Sequence, residues 1–505
     1  MKVKRAVRIR ISNQRKKTAR ELAFDLAQFR NLLVIFQNTY HNLFGQFILN
    51  ESAIYSLLAS KTTKKKPEQE EALAELSERV DQHPELQILI ERMKEQKTRV
   101  DNNYVLQTTI RQVIKDYKSF LASLAEYRVN PAKFKEQPRP PRPKKLGKLT
   151  QVTAEFNSNV FEAEGNLLSL RVRMNGNKKT KVKLPPGIEN VSSVRLIYHL
   201  SDVWVDVVYE KELKEPKAGF IHLAGIDMGM NNLISLVSTN PDVKSLIISG
   251  KEIKSFNRWF NKKKSKVQSA MDTLNDRIAK EKDDSLKKEM LEELLELKLY
   301  LHNLYNYRDR WIESHFHQVA RKLADFLYET GHKKVYIGKG ATESKEGIDL
   351  GKVTNQNFIS IPFRKLINCL KYKLEELGIK AEEKDEPYTS RASSLSDDIL
   401  EIQRMYAEAK EKQEKNKCSG KRIERGLYKD NILNKVFNAD LNGALNILKV
   451  GAKLRRLTLN LKLLLYKLSN PLKLSLYSFI YNFKSNHRVP PGIGASKLAT
   501  AGLAR

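Results

Sequence analysis

Cysteine is nearly absent: 505 residues carry two, Cys369 and Cys418. Two thiols can neither build a disulfide framework nor complete a four-ligand zinc site alone, so both read as ordinary reduced residues. Long apolar runs are missing too. No stretch approaches the ~20 apolar residues of a membrane-spanning helix, and the opening MKVKRAVRIRISNQRKK has no apolar core of the signal-peptide kind. The expectation is an intracellular protein without a membrane partner. Acid is the third scarcity: 59 Asp and Glu face 91 Lys and Arg, a net charge of +32. That excess is far beyond what solubility needs and points to a polyanionic partner, nucleic acid before membrane surface. The length leaves room for two to four domains and a sizeable core.

Residues 3–11 (VKRAVRIRI) alternate apolar and basic side chains, as in a strand with one face on a core and the other offering Arg and Lys to phosphate. From about Thr18 to Tyr127 the period turns helical. Leu22, Leu26, Phe29, Leu33 and Phe36 share a face, which predicts a helical domain whose aromatics are core. Pro131, Pro138, Pro140, Pro141 and Pro143, with Arg139, Arg142, Lys144 and Lys145, predict a stiff basic connector, because stacked prolines stay extended. Alternating runs at 168–174, 181–184, 193–198 and 203–209 read as a small β domain that takes in the first strand. Further on, strands are expected at 243–249, 334–338 and 379–382, long charged helices between the first two, and a helix over 362–377. His315 and His317 lie two apart on one of those helices and point to different faces, which argues against a shared metal. Residues 391–434 turn polar and basic, and Lys421, Arg422 and Arg425 divide evenly between solvated face and phosphate contact. The tail, 451–505, has ten Lys and Arg and no acid. It reads as a basic nucleic-acid-binding extension, with an interfacial helix and a disordered segment as the alternatives.

The chain is organised around 223–237, LAGIDMGMNNLISLV. A lone acid in an apolar strand is costly unless a cation or hydrogen bonds compensate for its burial, so Asp227 is a metal-ligand candidate. A second acid follows Asn438–Ala439 and opens a run, Leu441, Ala444, Leu445 and Leu448, with the spacing of a helix packed on a core. Asp440 therefore sits in a first helical turn beside buried surface.

GIDMGMNNL, NADLNGALNIL and the intervening NQNFISIPFRKLINCLKYKLEELGI with EPYTS resemble the RuvC nuclease domain of the transposon-associated TnpB proteins, relatives of type V CRISPR effectors. The resemblance covers roughly 220–450 well and the N-terminal half in general layout. It implies an α+β multidomain chain of prokaryotic cells, cytoplasmic and nucleoid-associated: a β-barrel wedge domain (1–15 and 130–219) interrupted by a helical recognition domain (16–129), then an RNase H-like RuvC domain (220–391 and 434–450) with a mixed sheet and flanking helices. Many relatives carry a four-cysteine zinc ribbon near 392–433; here only Cys418 falls in that stretch, so an insert without zinc is expected. The implied activity is RNA-guided DNA cleavage next to a short motif. The implied partners are a guide RNA from the element and double-stranded target DNA, acting on a monomer or dimer. Two Mg²⁺ ions would be held by three acids.

Asp227 and Asp440 match the first and third of those acids. The second is displaced: the strand that ends in Glu in most relatives ends here in Gly338. Adjacent parallel strands lie ~4.8 Å apart, so an acid just past the strand ending near Glu382 could reach the same metal. Glu386 is the best candidate, with Asp385 and Glu383 behind it; a branch of the family looks similar, with an acid just before YTS. The rival readings are an RNA-guided repressor with a broken RuvC site, which Gly338 favours, and a strand-joining transposase.

Overall fold

The computed structural model describes residues 2–11, 16–58, 67–100, 103–146, 151–156, 158–170, 180–199, 202–215, 219–339, 361–385, 389–396, 399, 418–424, 426–454 and 459–483. The chain divides into two compact units, Met1–Glu212 and Leu213–Arg505.

In the first unit, β1 (Lys2–Arg10) alternates exposed and half-buried positions as its sequence does. It pairs antiparallel with the last strand of the unit, and with β2 (Val152–Phe156), β6 (Val191–His199) and β7 (Asp202–Glu212) it forms a sheet in the order β1-β7-β6-β2. A second antiparallel sheet holds β3 (Phe161–Glu164), β4 (Leu167–Leu170) and β5 (Thr180–Lys183). Arg8 is not left for phosphate: it lies opposite Asp206 in the register and grips both its carboxylate oxygens at 2.6 and 2.8 Å. Among the described residues five α-helices lie between β1 and β2: α1 (Lys16–Phe44), α2 (Glu51–Leu57), α3 (Pro67–Asp81), α4 (Pro84–Arg99) and α5 (Asn103–Val129). The stripe Leu22, Leu26, Phe29, Leu33 and Phe36 is buried, as its spacing requires, in one core shared with Phe156, Leu196 and Val205 of the sheet.

The second unit is built on a mixed six-stranded sheet, order β12-β11-β8-β9-β10-β16. The strands are β8 (His222–Asp227), β9 (Asn232–Ser238), β10 (Leu246–Ser249), β11 (His332–Gly338), β12 (Lys380–Lys384) and β16 (Leu472–Leu474). Ala224 and Ile226 of β8 join the core under α6 (Lys251–Lys280), α7 (Asp284–Glu329) and α8 (Phe363–Glu376). Leu223, one residue out of phase, packs instead with Ile447 and Leu448 of α9 (Ala439–Ala452), so helices cover both faces. Gly225 lets α9 lie directly on the strand, since a Cβ there would overlap the Ala444 carbonyl oxygen. A three-stranded antiparallel sheet, β13 (Gly420–Glu424), β14 (Leu427–Asp430) and β15 (Lys435–Asn438), runs straight into α9. At the opposite end of the main sheet His332 is buried. Desolvation pushes its imidazole down to about 3, and the neutral ring is held by Ser238 Oγ at 2.6 Å and the Leu327 carbonyl at 3.2 Å.

The tail expectation needs correction for 459–483. This stretch folds onto the unit: β16 pairs parallel with β10, and α10 (Leu461–Ser469) buries Leu463, Leu464 and Leu468. Phe479 and Phe483 enter the core beside α7. The lysines that suggested a solvated extension divide: Lys462 and Lys473 are exposed, whereas Lys467 is buried and donates to the Asn240 and Val243 carbonyls. Residues 484–505 lie outside the described residues.

Candidate metal centre

Asp227 ends β8 on the face that α9 covers, and Asp440 stands in the first turn of α9. Asn438 caps that helix, its Oδ1 accepting from the backbone N–H of Asp440 (3.0 Å) and Leu441 (2.9 Å). An acid in a first turn also suits the positive end of the helix dipole. One turn on, Gly443 makes the two elements compatible: a Cβ there would come within 2.8 Å of Asp227 Oδ2. The fold thus lays the first turns of α9, which carry Asp440, against Asp227, with a glycine where any side chain would press on the carboxylate.

Both carboxylate oxygens of Asp440 are held by donors. Arg422 Nη2 donates to its Oδ1 at 2.9 Å and Asn232 Nδ2 to its Oδ2 at 2.6 Å. Ser235, opposite Asp227 in the β8–β9 register, has a buried hydroxyl that finds no hydrogen-bond partner among the described residues. Carboxylates with neutral oxygens nearby are a hard donor set of the kind Mg²⁺ takes. Among the described residues no three His, Cys, Asp or Glu side chains converge as a metal site by themselves.

For the second acid the geometry separates the candidates. In β12, Glu382 lies opposite Tyr336 and Lys384 opposite Gly338. Tyr336 packs against Gly451 of α9, so even-numbered positions of β12 face the Asp227 side. Glu383 faces the other way, where it is paired with Arg364 and Lys371 of α8. Burial alone would raise its pKa, but those two cations hold it below the ordinary glutamate value. Glu383 is therefore removed from the candidates, being on the wrong face and already neutralised. Asp385 accepts from Lys339 Nζ at 2.8 Å. Glu386 lies outside the described residues. The segment just after it is anchored: Asn446 Nδ2 donates to the carbonyls of Thr389 (2.8 Å) and Ala392 (2.9 Å), and Asn442 donates to Ala392 O and accepts from Ser394 N, each at 2.8 Å. Asn442, Asn446 and Gly443 escaped the sequence reading. The signal was there, a polar i, i+4 pair inside an apolar helix.

Of the residues expected to meet nucleic acid, Arg139, Arg142, Lys144 and Lys145 are exposed along a connector pinned to α1. Asn31 bonds both the N–H and the carbonyl of Lys144, and Asn38 the carbonyl of Pro141. Arg422 is engaged by Asp440 rather than standing free, and Arg425 is outside the described residues. His315 stacks on Trp311, while His317 bonds the Tyr372 hydroxyl at 2.7 Å, so the two serve different neighbourhoods. Cys369 packs beside His317, and Cys418 against Ala392 and Ile399.

The OrfB_IS605 family model, described as a probable transposase, matches residues 206–343. The model of the Cas12f1-like TNB domain matches residues 363–447, so between them the two matches take in Asp227, Glu386 and Asp440. The TnpB-like protein ORF457 of Acidianus two-tailed virus is 28% identical over 240 residues. Over part of its length the chain is similar to a TnpB-like protein. That match takes in 47% of this chain and spans 43% of the relative's length. Among solved structures, the Cas12f1–sgRNA–target DNA complex is similar at 13% identity over 88% of this chain and 98% of that one, with a TM-score of 0.37. A Cas12i–crRNA–dsDNA complex is similar at 11% identity over 80% and 72%, with a TM-score of 0.35. No described helix is long and apolar enough to cross a membrane.

Proposed function

We propose that the protein is an RNA-guided DNA endonuclease of the TnpB type, cutting target DNA beside a short motif with a single RuvC site. The observation that carries the reading is that Gly443, one turn after Asp440 on α9, lies against the Asp227 carboxylate. Asp227, Asp440 and Glu386 would hold two Mg²⁺ ions, whose chemistry is to acidify a bound water and neutralise charge growing on the leaving oxygen. Asn232 orients the Asp440 carboxylate through Oδ2. Glu386 stands in the sequence three residues before Thr389, which α9 grips. The first unit, as wedge and helical recognition module, and the exposed basic connector are assigned to the guide RNA and duplex, together with Arg425 and with Arg422, which bonds Asp440. The competing reading, a guided repressor without cleavage, has Gly338 in its favour.

The test separates binding from cutting. With its copurified RNA, a matched duplex and Mg²⁺, the parent is expected to cut. Asp227→Ala and Asp440→Ala should each lower cleavage by on the order of 10³-fold or more, as loss of a metal ligand does, while guided binding stays near the parent's. Cleavage that survives Asp227→Ala sinks the RuvC assignment. A parent that binds its guided target and never cuts is the repressor.

A further inference from the structure

The α6–α7 hairpin starts at the end of the main sheet at which β8 carries Asp227, and packs on the face opposite α9. β8 and β10 run the same way, each antiparallel to β9, so α6 begins beside the end of the strand bearing Asp227. Lys254 of its first turns donates to Asn231 Oδ1 at 2.8 Å, and the next residue, Asn232, donates to Asp440. The backbone N–H of Leu476 donates to Glu252 Oε1 at 3.2 Å, which fixes the segment after β16 against the same turn of α6.

From that point aromatic rings run in sequence across three elements. Trp259 and Phe256 of α6 lie 5.5 Å apart between centroids, and Phe256 stacks on Trp311 of α7 at 4.0 Å and 12°. Trp311 meets His315 at 4.0 Å, His315 meets Tyr477 at 5.7 Å, and Tyr477 is nearly parallel to Tyr481 at 6.4 Å. Tyr307 flanks Phe256 and Trp259, 5.9 Å from each. Packing between two helices accounts for the half-buried Phe256 and Trp311. It does not account for Trp259, Tyr307, Tyr477 and Tyr481, which remain 41%, 49%, 43% and 65% exposed.

Charge decides what such a surface suits. Residues 251–266 hold seven Lys or Arg against one acid, Glu252, and Lys264 Nζ stands 5.6 Å from the Tyr305 ring centroid. Cations alongside open aromatic faces are the makeup of grooves that follow a phosphate chain and stack its bases. A second copy is a poor occupant, because a two-fold contact would set like charges against each other. A duplex is poor as well, since its bases are already stacked on one another.

We infer that Trp259, Tyr307, Tyr477 and Tyr481 form a stacking platform that seats unpaired DNA at the edge of the Asp227–Asp440 site. That the strand is DNA, there to be cut, rests on the nuclease reading; that the rings stack unpaired bases does not. Every base has a π face, so the platform is tolerant of sequence, as a site must be when pairing to a guide chooses the target.

The experiment uses the full chain freed of RNA, with Asp227→Ala to prevent cutting. Fluorescence anisotropy with a single-stranded DNA of about 12 nucleotides, within the ~4–16 of known single-strand sites, is compared with RNA and duplex of the same length. Salt is held near ~0.3 M so that phosphate attraction alone contributes little. Trp259→Ala and Tyr481→Ala should each weaken single-stranded DNA binding about tenfold, leave duplex binding unchanged, and remove part of the tryptophan quenching that the DNA produces. Tyr481→Phe keeps the ring and should bind as the parent does. Three results overturn the platform: alanine variants that bind single-stranded DNA normally, a ring-dependent preference for RNA over DNA, or a parent dimer that the variants turn into monomers in sedimentation. Ring-dependent binding by a protein that never cuts its guided target would fell the nuclease reading and leave the platform standing. Guided cutting with ring-independent binding would fell the platform alone.

Discussion

Gly443 bears directly on the Asp227 carboxylate, because a methyl group there would come within 2.8 Å of Asp227 Oδ2. A short side chain on a paired strand has little freedom to retreat. Inside a helix, alanine in place of glycine is ordinarily stabilising by roughly 1 kcal/mol. Gly443→Ala should therefore pull stability and activity apart: a thermal midpoint equal to or above the parent's, with metal-dependent cleavage lower by about tenfold or more. Thermal melting and a cleavage time course on the same preparation check it. Loss of stability together with cleavage would locate the conflict in packing, not at the carboxylate. Asp440 is the complementary case. Both its oxygens already meet donors, Arg422 and Asn232, so it is held in place before any cation arrives.

At the scale of elements, α9 does two jobs with two stripes. Leu441, Ala444, Leu445 and Leu448 are buried, while Asn442, Asn446 and Lys449 reach the 389–396 segment. Glu386 enters the chain just before that segment, between Lys339-bound Asp385 and Asn446-bound Thr389. Asn446→Ala leaves two buried carbonyls without their donor, at a cost of about 1–3 kcal/mol. If the clamp positions Glu386, cleavage should fall by at least about tenfold while guided binding holds, because the clamp touches no basic surface. Parallel cleavage and binding assays decide. A variant that melts earlier yet cuts at the parent rate would remove the clamp, and the positional argument for Glu386 with it.

For the whole molecule, the net charge of +32 is the dominant fact, and it bears on association rather than on fold. Target binding by the guided complex should fall on the order of 10³-fold or more between roughly 50 and 200 mM salt if six or more phosphates are neutralised. A filter-binding series over that range, plotted as log affinity against log salt, checks it; a shallow slope would mean that few of these charges meet phosphate. Composition, order and period sufficed for the apolar strand with its single acid, the capped helix with Asp440, and the buried stripe of α1, because each of those signals is carried by residues close in the chain. What only the tertiary structure decided are facts about pairing and facing. β16 joins β10 across some 220 residues of chain, so the tail lysines could not be divided into buried and exposed from their spacing. Which face of β12 a given acid takes depends on the register with β11, and that register removed Glu383. The approach of Gly443 to Asp227, the grip of Asn446 on Thr389 and the meeting of Tyr477 with His315 all join elements hundreds or tens of residues apart. A local pattern specifies which face of an element is buried; only packing specifies what that face meets.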